Sequence, residues 1–169
     1  MRRAVGITLL LCLAGLPGCT AGAQQPAPHS PAPEVSAVPD EVPKEVPQAD
    51  LIPSDQLDAE LKVDKAPLVL QVGSHLLYRQ AHIVGAEYVG AAGTPEGLAA
   101  LDKRVAGLGH ERRIVLYCGC CPWTRCPNIR TAFQELRRLG FANVRALYLP
   151  QNFAADWIQK GYPVTRDQG

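Results

Sequence analysis

No sign of charge dominates this chain. It carries 17 lysines and arginines against 16 aspartates and glutamates. Nucleic acid binding needs a basic stripe, and none is present. Arg130, Arg137 and Arg138 read instead as the solvated face of a helix. No hydrophobic run is long enough to span a bilayer, which takes about 20 apolar residues. The longest, Ala4 to Leu16, follows Met1-Arg2-Arg3 and reads as the apolar region of a secretory signal. Apolar periodicity is missing from Ala23 to Asp50, where prolines recur from Pro26 to Pro47. That stretch has no core of its own and reads as a semi-extended tether.

Leu16-Pro17-Gly18-Cys19 resembles a bacterial lipobox. The resemblance implies cleavage after residue 18, lipidation at Cys19, and an exported protein anchored in the cell envelope, facing the periplasm or exterior. Losing Met1 to Gly18 removes Arg2 and Arg3, leaving 15 basic against 16 acidic residues. The expected organisation is signal 1–18, disordered tether 19–50 and one folded domain 51–165, large enough for a real core.

Within the domain, helical and strand signals alternate. Ser54 is placed to cap a helix over 55–61. Leu68 to Val72 is a continuous apolar run typical of a buried strand. His75 to Ala81 suits a helical turn, and Glu87 to Val89 a short strand. Thr94-Pro95-Glu96 opens a helix that turns Leu98, Leu101 and Val105 inward. Arg113 to Tyr117 is a third strand. Asn128 is placed to cap a helix with Ile129, Phe133, Leu136 and Leu139 at helical spacing and Gly140 as its stop. Val144 to Leu149 is the last strand and Asn152 to Lys160 the last helix. This order predicts an α/β fold with a mainly parallel sheet, whose sites lie at the carboxyl ends of strands.

Cys118 lies at such an end, and four cysteines (118, 120, 121 and 126) fall within nine residues. A thiol between a strand and a helix N-terminus meets loop amides and the positive end of the helix dipole, and both favour thiolate. Cys118 is therefore expected to have the lowered pKa. Cys118 and Cys121 also form a Cys-x-x-Cys, so thiol–disulfide chemistry is an alternative. Cys120 or Cys121 could pair with Cys126 as a plain disulfide. Four thiols could also hold zinc or cuprous ion, although no histidine is near in sequence. A non-catalytic, cysteine-clustered binding module is a further alternative. Arg125 is a candidate to hold an anionic donor, and Trp123 to wall the pocket.

Several fragments resemble a rhodanese-like domain. Ala81-His82-Ile83-Val84-Gly85-Ala86 is similar to the family's Gly-His-Ile-Pro-Gly-Ala turn. Ile114 to Cys118 is similar to the strand that delivers the active cysteine. Leu139-Gly140-Phe141-Ala142-Asn143-Val144 and Ala155-Asp156-Trp157 with Gly161-Tyr162-Pro163 resemble its later helix exit and closing segment. The resemblance implies a three-layer domain with a five-stranded sheet. It also implies a sulfurtransferase or persulfide carrier with Cys118 as the acceptor. No cofactor is expected beyond a covalent persulfide, and the partners are a small sulfane-sulfur donor and a thiol acceptor. The chain departs from the family's usual Asp-x-Arg, reading Gln71-Val72-Gly73. Phosphatase relatives use Cys-x5-Arg, whereas six residues separate Cys118 from Arg125. The fold signal goes against a thioredoxin sheet, because one helix and no hairpin follow Pro150, and dithiol chemistry on a rhodanese-like scaffold stays open.

Overall fold

The computed structural model describes residues 45–167. The signal, Cys19 and residues 19–44 of the expected tether lie outside them. No helix among the described residues is long and apolar enough to cross a membrane.

Strands β1 (Leu51–Ile52), β2 (Leu68–Gln71), β4 (Glu87–Tyr88), β5 (Ile114–Tyr117) and β6 (Val144–Leu147) form one sheet in the order β1-β6-β5-β2-β4. Every pairing in it is parallel. β3 (His82–Ile83) pairs antiparallel with β7 (Val164–Thr165) in a separate ribbon. The helices are α1 (Ser54–Leu61), α2 (His75–Gln80), α3 (Pro95–Val105) and α4 (Pro127–Arg138). A single π-helical turn, Ala154–Ile158, stands where a longer helix was expected.

β5 lies mid-sheet, and all four of its residues are buried. Its alternation divides the core into two layers. Ile114 and Leu116 join Leu101 and Val105 of α3 and Phe133 and Leu136 of α4. Val115 and Tyr117 join Leu57 of α1, Ile83 and Trp157 on the other face. Helices over both faces of a parallel sheet are what continuous apolar strands require. The expected α/β architecture and inward residues Leu101 and Val105 are therefore observed, with Leu98 partly buried at the edge.

Three local expectations change. Ser54 does not cap α1 from outside. It is the helix's first residue, and its hydroxyl donates to the Asp156 carbonyl at 2.9 Å. α4 starts at Pro127 with Cys126 as N-cap, so Asn128 lies inside the first turn. The end of the expected tether belongs to the domain. Gln48–Asp50 is a 3-10 turn and Val46 packs against the core. Glu45 pairs with Arg130 at 2.8 Å and Asp50 with Arg137 at 2.9 Å. These contacts supply the burial that composition alone did not signal.

Glu60 ties α1 to the sheet. It accepts from Arg145 at 2.8 Å and from Gln56 at 3.1 Å, and it pairs with Arg113. The Arg145 guanidinium chiefly holds its carboxyl down from 4.5 to about 2, against the opposing effect of burial. A depressed carboxylate stabilises the fold above its unfolded pKa, and that stability is lost as pH falls through the folded one. Acid unfolding should thus show a stability loss of about 1 kcal/mol through Glu60, after solvent screening. The window runs from 4.5 down to about 2. Urea titrations of Glu60→Gln at stepped pH check this. An unchanged slope across the window would count against the pairing.

Candidate functional site

The site forms where β2 and β5 end. These strands pair in register, with Gln71 beside Tyr117. Gln71 is the one polar residue in an otherwise apolar strand run, and it is buried. Both ends of its amide are engaged: Nε2 donates to the Cys118 carbonyl at 3.1 Å, and Oε1 accepts from the Gly73 amide at 3.1 Å. The two strand ends are thereby joined beside the cysteine. A Cβ on Gly73 would lie 2.6 Å from Cys118 Sγ, so only glycine leaves room for the sulfur. The sequence Gln71-Val72-Gly73 therefore serves the Cys118 loop.

Cys118 is buried directly after β5. At Gly119 the chain turns with φ +79, and a Cβ there would meet Phe153 Cβ at 2.5 Å. Positive φ and close packing both call for glycine. This turn brings the exposed Cys120 back, with its Sγ 3.1 Å from Cys118 Sγ. Cys121 Sγ lies 3.4 Å from Cys120 Sγ and donates to the Arg125 carbonyl at 3.8 Å. A 3-10 turn, Trp123–Arg125, then leads to Cys126, which is buried at the N-cap of α4. All four described cysteines are free thiols. The sulfurs of 118, 120 and 126 lie within 4.8 Å of one another, and these are the residues that could hold a soft cation.

Asn128 binds the loop to its surroundings. Its Nδ2 donates to Cys118 Sγ at 3.3 Å and reaches Cys120 Sγ at 4.0 Å. Its Oδ1 accepts from the Gly93 amide at 2.8 Å. Sequence reasoning saw Asn128 only as a cap and missed Gln71 and Gly73 as site residues. The available signal was a glutamine interrupting the Leu68 to Val72 run just before a glycine.

The electrostatics reverse one expectation. The low thiol is Cys126, brought down from 9.0 to about 6. The main cause is the Cys118 thiol beside it, helped by the backbone amides of Ile129 and Asn128, against the cost of burial. The helix dipole acts within the first turn, and α4 begins next to Cys126 rather than Cys118. The Cys118 thiol is pushed up instead, first by the neighbouring Cys126 and then by burial. Cys121 is pushed up to about 12, mainly by burial. In the reduced protein, alkylation at mildly acidic pH should thus fall first on Cys126. Its rate should rise through pH about 6 as the thiolate forms. Peptide mapping after short iodoacetamide pulses checks this, and first labelling at Cys118 would contradict it.

A cleft of about 290 Å³ opens over the loop, with Gln71, Tyr117, Cys118, Cys120, Asn152 and Phe153 among its walls. Among the described residues, none that lines it is an acid, a lysine, an arginine or a histidine. Cys121 and Cys126 do not line it. Neither do the two residues expected to bind substrate. Trp123 packs edge-on to Tyr148 at 5.4 Å, lines a second cavity with Cys126 and Ile129, and lines a small third one with Cys118, Cys121 and Cys126. Arg125 is exposed and lines none of these.

No family model and no curated protein matches the chain. Solved structures do. The solution structure of the rhodanese-like domain of the Alr3790 protein from Anabaena sp. is similar with a TM-score of 0.54 and 22% identity, over 69% of this chain and 79% of that one. A crystal structure of the Alr3790 protein gives a TM-score of 0.52 and 23% identity, over 68% of this chain and 91% of that one. A third, a cysteine-persulfide form of an EanB variant with ergothioneine, is 28% identical with a TM-score of 0.50. It is matched over 68% of this chain but only 27% of its own. The chain thus has the rhodanese-like fold, built on a central five-stranded, all-parallel sheet.

Proposed function

We propose that this chain is a sulfurtransferase or persulfide carrier whose sulfur acceptor is Cys118. The observation that carries the reading is the placement of that thiol. It sits at the end of the mid-sheet strand β5, is fixed by Gln71 and Asn128, and faces the uncharged cleft. Cys126 is the more acidic thiol but has no wall in that cleft. The two sulfurs therefore divide the work. A donor entering the cleft meets Cys118, and Cys126 thiolate takes the Cys118 proton as attack begins. The Cys118 sulfur bonds to the donor's sulfane sulfur, the donor's own S–S bond breaks, and its remainder leaves as an anion. A neutral or singly charged donor, such as an organic persulfide or thiosulfonate, suits walls that carry no cation. A cysteine persulfide is recorded in the EanB variant, of which 27% is matched by this chain, and that likeness supports the sulfur-transfer reading.

The 3.1 Å contact favours a dithiol component in the same site, between Cys118 and Cys120 rather than across the Cys118/Cys121 spacing. The reading is tested by consumption of a sulfane-sulfur donor by the reduced full chain. Consumption that persists undiminished in Cys118→Ser would defeat it.

A further inference from the structure

We infer that Cys120 resolves the persulfide formed on Cys118, so that the sulfane sulfur leaves as hydrosulfide and the chain acts as a sulfane-sulfur reductase. This rests on the sulfurtransferase reading and deepens it. Among the described residues, Cys118 and Cys120 are the two thiols that line the cleft. Their sulfurs lie 3.1 Å apart. The approach is built into the backbone. Gly119 turns at φ +79 between them, is packed against Phe153, and accepts from the Phe153 amide at 3.2 Å. Asn128 Nδ2 spans both sulfurs, at 3.3 and 4.0 Å, so one donor serves whichever carries charge. Cys118 is buried whereas Cys120 is exposed. The inner sulfur of a persulfide on Cys118 is thus buried, while an internal thiol is already in contact with it.

The chemistry balances. Cys120 thiolate attacks Cys118 Sγ, the inner sulfur of the persulfide. A bond forms between the two Sγ atoms, the bond to the outer sulfur breaks, and that sulfur leaves with the electron pair as hydrosulfide. The sulfane sulfur is reduced by two electrons, and the two cysteine sulfurs are oxidised to one disulfide. The first cycle needs no other reductant. Further cycles need an external dithiol to reopen the Cys118–Cys120 bond. The substrate class is therefore a small persulfide, polysulfide or thiosulfonate, and the product is hydrosulfide instead of a sulfur-loaded acceptor.

The test uses the full chain with Cys12→Ser and Cys19→Ser, leaving the four loop thiols. The reduced protein is mixed anaerobically with one equivalent of an alkane thiosulfonate, whose sulfinate leaving group cannot itself reduce a persulfide. Hydrosulfide release and intact mass are read together. The parent chain should release roughly one hydrosulfide per molecule and lose two hydrogens. Adding Cys120→Ser should leave the added sulfur on the protein and cut hydrosulfide release at least about tenfold. A parent chain that keeps the sulfur and releases no hydrosulfide overturns the inference while leaving sulfur uptake at Cys118 intact. Release in Cys120→Ser at the parent rate also overturns it. If neither chain consumes the donor, the sulfurtransferase reading fails as well.

Discussion

Cys118→Ser is expected to lower sulfane-sulfur consumption by about a thousandfold or more, the scale on which loss of a covalent nucleophile is felt. A serine hydroxyl is not ionised near neutral pH and forms no persulfide. The fold should survive the change. The substitution removes little volume, and Asn128 Nδ2 retains an acceptor at that position. Circular dichroism and urea unfolding of the variant should therefore stay close to the parent. Cys126→Ser is the informative contrast. It leaves the acceptor in the cleft but removes the thiolate that takes its proton. Consumption should continue more slowly, with the acid limb of its pH profile moving up from about 6 toward the free-thiol value near 8.5. A merely structural role for Cys126 would lower the rate without moving the profile.

Gly97→Ala should destabilise the domain by about 3 kcal/mol or more, at the upper end of what overpacking costs. A Cβ at Gly97 would lie 2.1 Å from the Ala91 carbonyl oxygen and 2.4 Å from its carbon. Both are backbone atoms of the preceding loop and cannot swing aside. That loop is held tightly to the start of α3: Thr94 accepts from the Gly97 amide at 3.1 Å and donates to the Ala91 carbonyl at 3.0 Å. The effect should reach the site, because the Gly93 amide of the same loop orients Asn128. Gly107→Ala is the control. A Cβ there meets nothing within 4 Å, so only its φ of +81 opposes the change. That strain costs about 1 kcal/mol. Urea unfolding of both variants checks the difference, and equal costs would contradict the packing argument.

Much of this fold is legible in the chain because buried parallel strands carry no polar alternation. Leu68 to Leu70 and Ile114 to Leu116 announce themselves, and Leu101 and Val105 follow from helical spacing. Cys118 is legible for the same reason, since it ends the strongest strand. The rest depends on three-dimensional neighbours. The side chain of Asn128 has several uses near a helix start, and only the position of Gly93 turns it toward the sulfurs. Which thiol is acidic depends first on the Cys118–Cys126 contact and then on the amides at the start of α4. The 3-10 turn Trp123–Arg125 delays that start to Pro127 and gives the helix terminus to Cys126. The partner of Cys118 likewise follows from the φ of Gly119, which sequence spacing does not encode. Trp123 and Arg125 looked like pocket residues because they lie in the loop; neither walls the main cleft, but Trp123 does line a small cavity behind it with Cys118, Cys121 and Cys126. The packed segment before Leu51 was hidden by its prolines, since its burial comes from Val46 and from pairs with arginines far along the chain.

The central claim is that the sulfane sulfur enters at Cys118, and peptide-level mass spectrometry tests it most directly. The Cys120→Ser full chain, reduced and treated with thiosulfonate, is trapped with an alkylating reagent, digested and mapped. The account predicts the extra sulfur on the peptide at Cys118, with Cys121 and Cys126 carrying only the alkyl group. Extra sulfur on Cys126, with Cys118 alkylated and unloaded, would contradict it.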